Sequence, residues 1–144
     1  MTVSSDTYFP KADIDKLEVG MAASYAQTIT EADITIFAGV SGDKNPAHVN
    51  EEYAKESRLK KRVAHGMLSA SFFSGLLGTR LPGSGCLYVS QTLVFKKPVY
   101  IGDTVTATIT VQEIDIKARR VKLSTTCTVK NKKVIEGEAE VFIP

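Results

Sequence analysis

Two stretches of the 144-residue chain carry residue types that do chemistry, at spacings that allow them to act together. The first is AGVSGDKNPAHVN, residues 38–50, which sets Asp43 and His48 five positions apart with Asn45 and Pro46 between them. Fully extended, five residues span about 17 Å. Gly42 and the Asn-Pro pair favour a turn instead, and the proline fixes its own φ while holding Asn45 extended. A stiff turn brings a carboxylate and an imidazole to one side, where a general acid/base pair can hold a water and move its proton. The same residues also suit an Asx-turn, with Asp43 and Asn45 satisfying turn amides and His48 capping the next segment. The second stretch is AHGM, residues 64–67. Gly66 opens an apolar helix, so its N–H is an unpaired donor of a helix start and can receive negative charge developing on an oxygen. A glycine also permits close approach of a carbonyl. An ordinary helix start, with His65 packing or capping, is the alternative.

The elements that must position these residues are legible from periodicity. Residues 1–20 form an irregular lead-in ending at Gly20, and AASYAQTIT alternates as a first strand. Thr30 with Asp33 three residues on predicts a capped helix start, with Ile34, Phe37 and Ala38 on one face and a stop before Gly42. Residues 42–50 read as a loop, and Asn50 caps a short helix over EEYAKES. Gly66 to Thr79 holds no charged residue and has large apolar groups on every face, which predicts a buried helix. Its fourteen residues rise about 21 Å, short of the roughly 20 residues a bilayer span needs. LPGSG then turns the chain, and the period becomes two. Val105, Ala107, Ile109 and Val111 share one face, as do Val121, Leu123, Thr125, Cys127 and Val129, and again Gly137, Ala139, Val141 and Ile143. Residues 86–96 make a fourth such strand. A long apolar helix followed by alternating strands indicates an α+β fold in one 1–144 domain, with an antiparallel sheet covered on one face.

Composition narrows the chemistry. A net charge of +2 with 43% hydrophobic and 24% charged residues is ordinary globular usage. RLKKR at 58–62 and RRVK at 119–122 lack the broad basic stripe of a nucleic-acid binder, so no nucleic-acid partner is expected. Two histidines without H-x-x-x-H spacing and two cysteines without CxxC spacing leave a metal site short of ligands, so none is expected. Cys86 and Cys127 read as small buried hydrophobes in a reducing compartment. The first sixteen residues carry acids and no apolar run, which argues against a secretory signal and for a cytoplasmic chain without a membrane partner.

FAGVSGDKNPAHVNEEYA, residues 37–54, resembles the F-x-x-x-S-G-D-x-N-P-x-H signature of the MaoC-like (R)-specific enoyl-CoA hydratases. VAHGMLSASFFSGLLG is similar to the helix next in sequence there, and the likeness continues through LPGSGCLYVSQTLVFKKPVYIGDTVTATITV, spanning residues 20–144. The resemblance implies a hot-dog fold, in which the sheet wraps the long helix, and a homodimer of single copies. It implies reversible syn hydration of a trans-2-enoyl-CoA to an (R)-3-hydroxyacyl-CoA, with no cofactor and an acyl-CoA substrate. By motif position it makes Asp43 and His48 the catalytic pair, with Asp43 the expected base. It gives Asn45 to the supporting hydrogen-bond network and the Gly66 amide to the thioester oxygen. Phe72, Ser74, Leu77 and a residue near Val141 are candidates for the acyl pocket, and Lys96 and Lys97, with RLKKR, for the CoA phosphates. Asn50 stands where such proteins often carry Asp, and either residue caps a helix equally well. An acyl-CoA thioesterase and a non-catalytic acyl-CoA binding module are the competing functions, because a shared fold does not fix the reaction.

Overall fold

The computed structural model describes residues 9–144, so residues 1–8 of the expected lead-in lie outside the described residues. A short 3-10 turn, Ile14–Lys16, buries Ile14, and Gly20 at φ 98° swings the chain into β1 (Ala22–Thr28). Thr30 opens α1 (Glu31–Ser41) with a reciprocal cap: its Oγ1 accepts from the Asp33 N–H at 3.2 Å, and the Asp33 carboxylate accepts from the Thr30 N–H at 2.9 Å. Gly42, at φ 78°, ends the helix in the left-handed region, and its N–H closes on the Ala38 carbonyl at 3.0 Å. Ile34 and Ala38 are buried as the helical spacing required.

Residues 42–50 are more ordered than the expected loop. Asn45 caps a single turn, α2 (Pro46–Val49), with proline at its first position, and Asn50 caps α3 (Glu51–Glu56) by accepting from the Tyr53 N–H at 3.0 Å. The long helix α4 occupies Gly66–Thr79, the bounds read from the sequence. Leu68, Phe73, Leu76 and Leu77 bury one side of it. Its other side, with Met67 at 54% exposure and Ser71 and Ser74 open, corrects the expectation of burial all round. One sheet covers only one face of a cylinder, which leaves the other face of α4 open.

The sheet comprises β1, β2 (Leu87–Gln91), β3 (Val94–Phe95), β4 (Thr104–Asp115), β5 (Arg120–Val129) and β6 (Lys132–Phe142), all antiparallel in the order β1-β4-β5-β6-β2, with β3 also on β6. The alternating rows Val105, Ala107, Ile109, Val111 and Val121, Leu123, Thr125, Cys127 are buried against α4. Each large aliphatic buried this way contributes about 1.5–3 kcal/mol. Thr125 keeps its hydroxyl satisfied there by accepting from Gln91 Nε2 at 2.8 Å. Lys130 and Asn131, both at positive φ, form the two-residue turn between β5 and β6. The single strand expected over residues 86–96 is broken at Thr92 and Leu93, for a local reason. The chain there crosses directly over Gly137, where any Cβ would strike the Thr92 carbonyl, and Thr92 exchanges hydrogen bonds with Glu138 at 2.9 Å each way. Cys127 lies in the core, where burial pushes its thiol up to about 12, whereas Cys86 is only half-buried, contrary to expectation.

Candidate active site

Asp43 and His48 meet because their backbones are fastened at several points. Ser41 Oγ donates to the Phe37 carbonyl at 2.7 Å and accepts from the Asp43 N–H at 3.0 Å, tying the first acid after Gly42 to the end of α1. The Asn45 N–H donates to Asp43 Oδ1 at 3.1 Å, which leaves Oδ2 turned towards His48. Pro46 starts α2, and the helical turn carries His48 back beside the carboxylate: Nε2 lies 3.7 Å from Oδ2. The other ring nitrogen, Nδ1, lies 2.7 Å from the Val63 carbonyl. A carbonyl only accepts, so Nδ1 carries the hydrogen and Nε2 of the neutral ring presents a lone pair.

The 3.7 Å separation is too long for a direct hydrogen bond between these atoms, and a water set to one side of the line joining them is within reach of both. Two acceptors facing one another are matched by a water that donates one hydrogen to each, with its oxygen lone pairs turned outward. Asn45 contributes differently from expectation: its side-chain oxygen accepts from the Ala47 N–H at 3.1 Å, capping α2, and only its backbone touches Asp43.

The structure adds a residue for which the sequence offered only packing or capping. His65 immediately precedes α4 but makes no side-chain cap; its Nε2 bonds the Asp43 carbonyl at 2.9 Å, and its ring stacks on His48 with centroids 4.0 Å apart. Phe37 packs against it at 4.9 Å, and it is 2% exposed. The available signal was that the chain's only two histidines fall in its two chemistry-bearing stretches. Asp43, His48 and His65 offer one ligand-type atom each within 4.8 Å of one another, a grouping that spacing alone did not reveal. His48 Nδ1 and His65 Nε2 are each engaged by a main-chain carbonyl, which fixes how both rings are turned.

Gly66, first residue of α4, borders the same space with its N–H outside the helical ladder. A Cβ on Gly66 would come within 2.6 Å of the Phe95 ring, so the chain's own aromatic already uses the room that glycine leaves. Asp43, His65, Gly66, Ser69, Lys96 and Lys97 are among the residues lining a cavity of about 630 Å³. An adjoining cavity of about 450 Å³ shares Phe37 and Met67 and reaches Ser74. Leu77 lines neither; it is core, and Phe72 packs edge-on to Tyr25.

The basic residues divide. Lys96 pairs with Glu136 at 3.0 Å, and Lys133 pairs with the same carboxylate at 3.3 Å, which together hold Glu136 below the usual carboxylate range. Arg62, offered with the rest of RLKKR for the CoA phosphates, is enclosed instead: it donates to Glu51 at 3.0 Å, binds both oxygens of Glu31, and reaches the His48 carbonyl at 3.4 Å. It therefore braces the starts of α1 and α3 against the α2 turn, and its guanidinium holds the Glu31 carboxyl below the usual range.

The MaoC like domain matches residues 16–134. The chain is 58% identical over 130 residues to an (R)-specific enoyl-CoA hydratase of Rhodospirillum rubrum, covering 90% of each. It is 43% identical over 104 residues to the (R)-specific enoyl-CoA hydratase of Aeromonas caviae, covering 72% of this chain and 74% of that one. Among solved structures, an R-hydratase from Pseudomonas aeruginosa superposes with a TM-score of 0.88 at 41% identity, covering 93% of this chain and 86% of the other. An (R)-hydratase from A. caviae involved in PHA biosynthesis superposes with a TM-score of 0.87 at 38% identity, covering 90% and 98%.

Proposed function

The chain belongs to the MaoC-like domain family, and on that footing we infer that it is an (R)-specific enoyl-CoA hydratase with the family's hot-dog fold. It adds water reversibly to a trans-2-enoyl-CoA to give an (R)-3-hydroxyacyl-CoA. The observation that carries the catalytic assignment is the 3.7 Å gap between Asp43 Oδ2 and a His48 nitrogen whose partner on the other side is a main-chain carbonyl.

In this reading the water bridges the pair from the cavity side and gives one hydrogen to each acceptor. Its oxygen bonds to C3 of the enoyl thioester, and the electron pair of the C2–C3 double bond moves so that negative charge builds on the thioester oxygen. The Gly66 N–H, at the positive end of α4, is the donor for that oxygen. The proton leaving the water goes to Asp43, as its base, and His48 steadies the oxygen through Nε2. Because neutral His48 has no hydrogen on Nε2, the newly protonated carboxyl is the proton source beside C2 on that face. Hydroxyl and hydrogen then arrive on the same side, which is syn addition. Every atom of the water ends in the product, and neither metal nor redox cofactor enters the balance.

We assign the acyl-CoA substrate to the cavity lined by Asp43, His65, Gly66, Lys96 and Lys97, with the two lysines as candidates for the CoA phosphates. Ser74 is our candidate for acyl-chain contact, through the adjoining cavity. A homodimer is supported by β2, which ends the sheet order and exposes Leu87, Tyr88 and Val89 in succession beside the open face of α4. An apolar edge of this kind is a pairing surface. Among the described residues no helix is long and apolar enough to cross a membrane, and two free cysteines suit a reducing, cytoplasmic setting.

Loss of enoyl absorbance across a series of trans-2-enoyl-CoAs, followed by chiral analysis of the product, tests the reading. Turnover to the (R)-alcohol is expected; release of free CoA thiol would point to a thioesterase, and binding without turnover to a non-catalytic module. Tyr88→Lys should shift the protein from dimer to monomer in sedimentation, and a monomeric parent would refute the dimer.

A further inference from the structure

His65 makes more polar contacts than a helix-start packing residue requires, yet one of its nitrogens is left over. Its Nε2 faces the Asp43 carbonyl at 2.9 Å, so Nε2 carries a hydrogen. Its Nδ1 is buried and has no partner among the described residues. The ring is 2% exposed and stacks 4.0 Å from a second imidazole. With the hydrogen on Nε2, Nδ1 of the neutral ring presents a lone pair.

One helical turn on, Ser69 Oγ is the other buried side-chain atom without a partner among the described residues. His65, the N-cap residue, and Ser69, one turn on, both line the cavity that contains Asp43 and Gly66. A polar pocket with two unsatisfied groups is where an ordered water is retained.

We propose that His65 is a positioning residue for the water-holding pair, fixed as the Nε2–H tautomer, with its Nδ1 and the Ser69 hydroxyl sharing one ordered water. Its Nε2–H pins the Asp43 main chain, and its ring face sets the plane of His48. The two histidines thus carry opposite tautomers, His48 with hydrogen on Nδ1 and His65 with hydrogen on Nε2, each dictated by a main-chain carbonyl. Ser69 acts on catalysis through His65. The proposal rests on the hydratase reading above for its kinetic consequences, but the tautomers are properties of the free protein.

The test joins two measurements. Long-range ¹H–¹⁵N spectra of the free protein at pH 7 contain only two imidazoles, and the expected result is two neutral rings of opposite tautomer. Ser69→Ala should shift the His65 Nδ1 resonance and leave His48 in place. In turnover, His65→Phe keeps a flat ring but loses both hydrogen bonds, and kcat should fall about 10- to 100-fold with KM little changed, the cost of a displaced pair. His65→Gln, whose amide can still donate to the Asp43 carbonyl, should recover part of it. A charged His65, or hydrogen on its Nδ1, overturns the proposal, as does parent-level kcat in a folded His65→Phe. An unmoved Nδ1 resonance in Ser69→Ala overturns the shared water. Opposite tautomers in a protein that hydrates no enoyl-CoA would instead refute the hydratase reading, and the parent spectra decide even if His65→Phe fails to fold.

Discussion

β5 and the corner around residues 42–50 both hold side chains in fixed places, by different means. Along β5, position is set by the two-residue repeat: Val121, Leu123, Thr125 and Cys127 go inward because each inward step removes apolar surface from water, and neighbours on β4 and β6 supply the register. In the corner almost nothing is held by apolar burial. Asp43 is half exposed, and it is held by the hydrogen bond its N–H gives to Ser41 Oγ, by one from the Asn45 N–H and, at its carbonyl, by one from His65. A strand tolerates the loss of one contact because the ladder persists, whereas a corner fastened by single hydrogen bonds moves when one is cut. Precision at the site is therefore a property of a few donors and acceptors, with the sheet and α4 as the fixed frame beneath them.

Substitutions on the corner separate chemistry from frame, and the largest effect belongs to Asp43. Asp43→Asn should lower kcat on crotonyl-CoA by about 10² to 10⁴, the loss expected for one acid/base group, while the melting temperature stays near the parent's. Gly66→Ala comes next. The added methyl meets the Phe95 ring at 2.6 Å, so the ring or the helix start must shift; activity should fall on the order of tenfold, as for a displaced catalytic group. Adding Phe95→Leu should return much of that loss, and failure to do so would mean that the methyl itself obstructs the oxygen site. Arg62→Met gives the smallest effect at neutral pH, on the order of 1 kcal/mol or less, because solvent reaches both carboxylates. Its signature is in acid. Glu31 has its carboxyl lowered by Arg62 from an ordinary 4.5, so the stability it contributes is present above that pH and is lost as pH falls through the lowered value. The parent's melting temperature should drop more steeply than that of Arg62→Met below pH 4.5, and parallel curves would mean that the ion pair contributes nothing.

The contrast between strand and corner also explains what could be read in the sequence. Thr30 with Asp33, Gly42, the uncharged run from Gly66 to Thr79 and the alternating rows of β4 to β6 are local or periodic, and each appears where expected. The α2 turn was hidden because Asn-Pro signals a turn and a helix start equally well, and only context decides. The break at Thr92 depends on Gly137, forty-five residues away in sequence. His65 was invisible as a site residue because its partner is a main-chain carbonyl, and carbonyls have no residue type. Arg62 looked like one of four similar basic residues in RLKKR until the starts of α1 and α3 came together around it. Leu77 was a fair pocket candidate by type, yet pockets and cores draw on the same residues, and here it is core.

Hydration of crotonyl-CoA in D₂O, with the relative configuration of the C2 deuterium and C3 hydroxyl read by NMR, tests the central claim most directly. A single water held between Asp43 and His48, with its proton returned from the same face, predicts one diastereomer with deuterium and hydroxyl added syn. An anti product, or a mixture of the two, would contradict it.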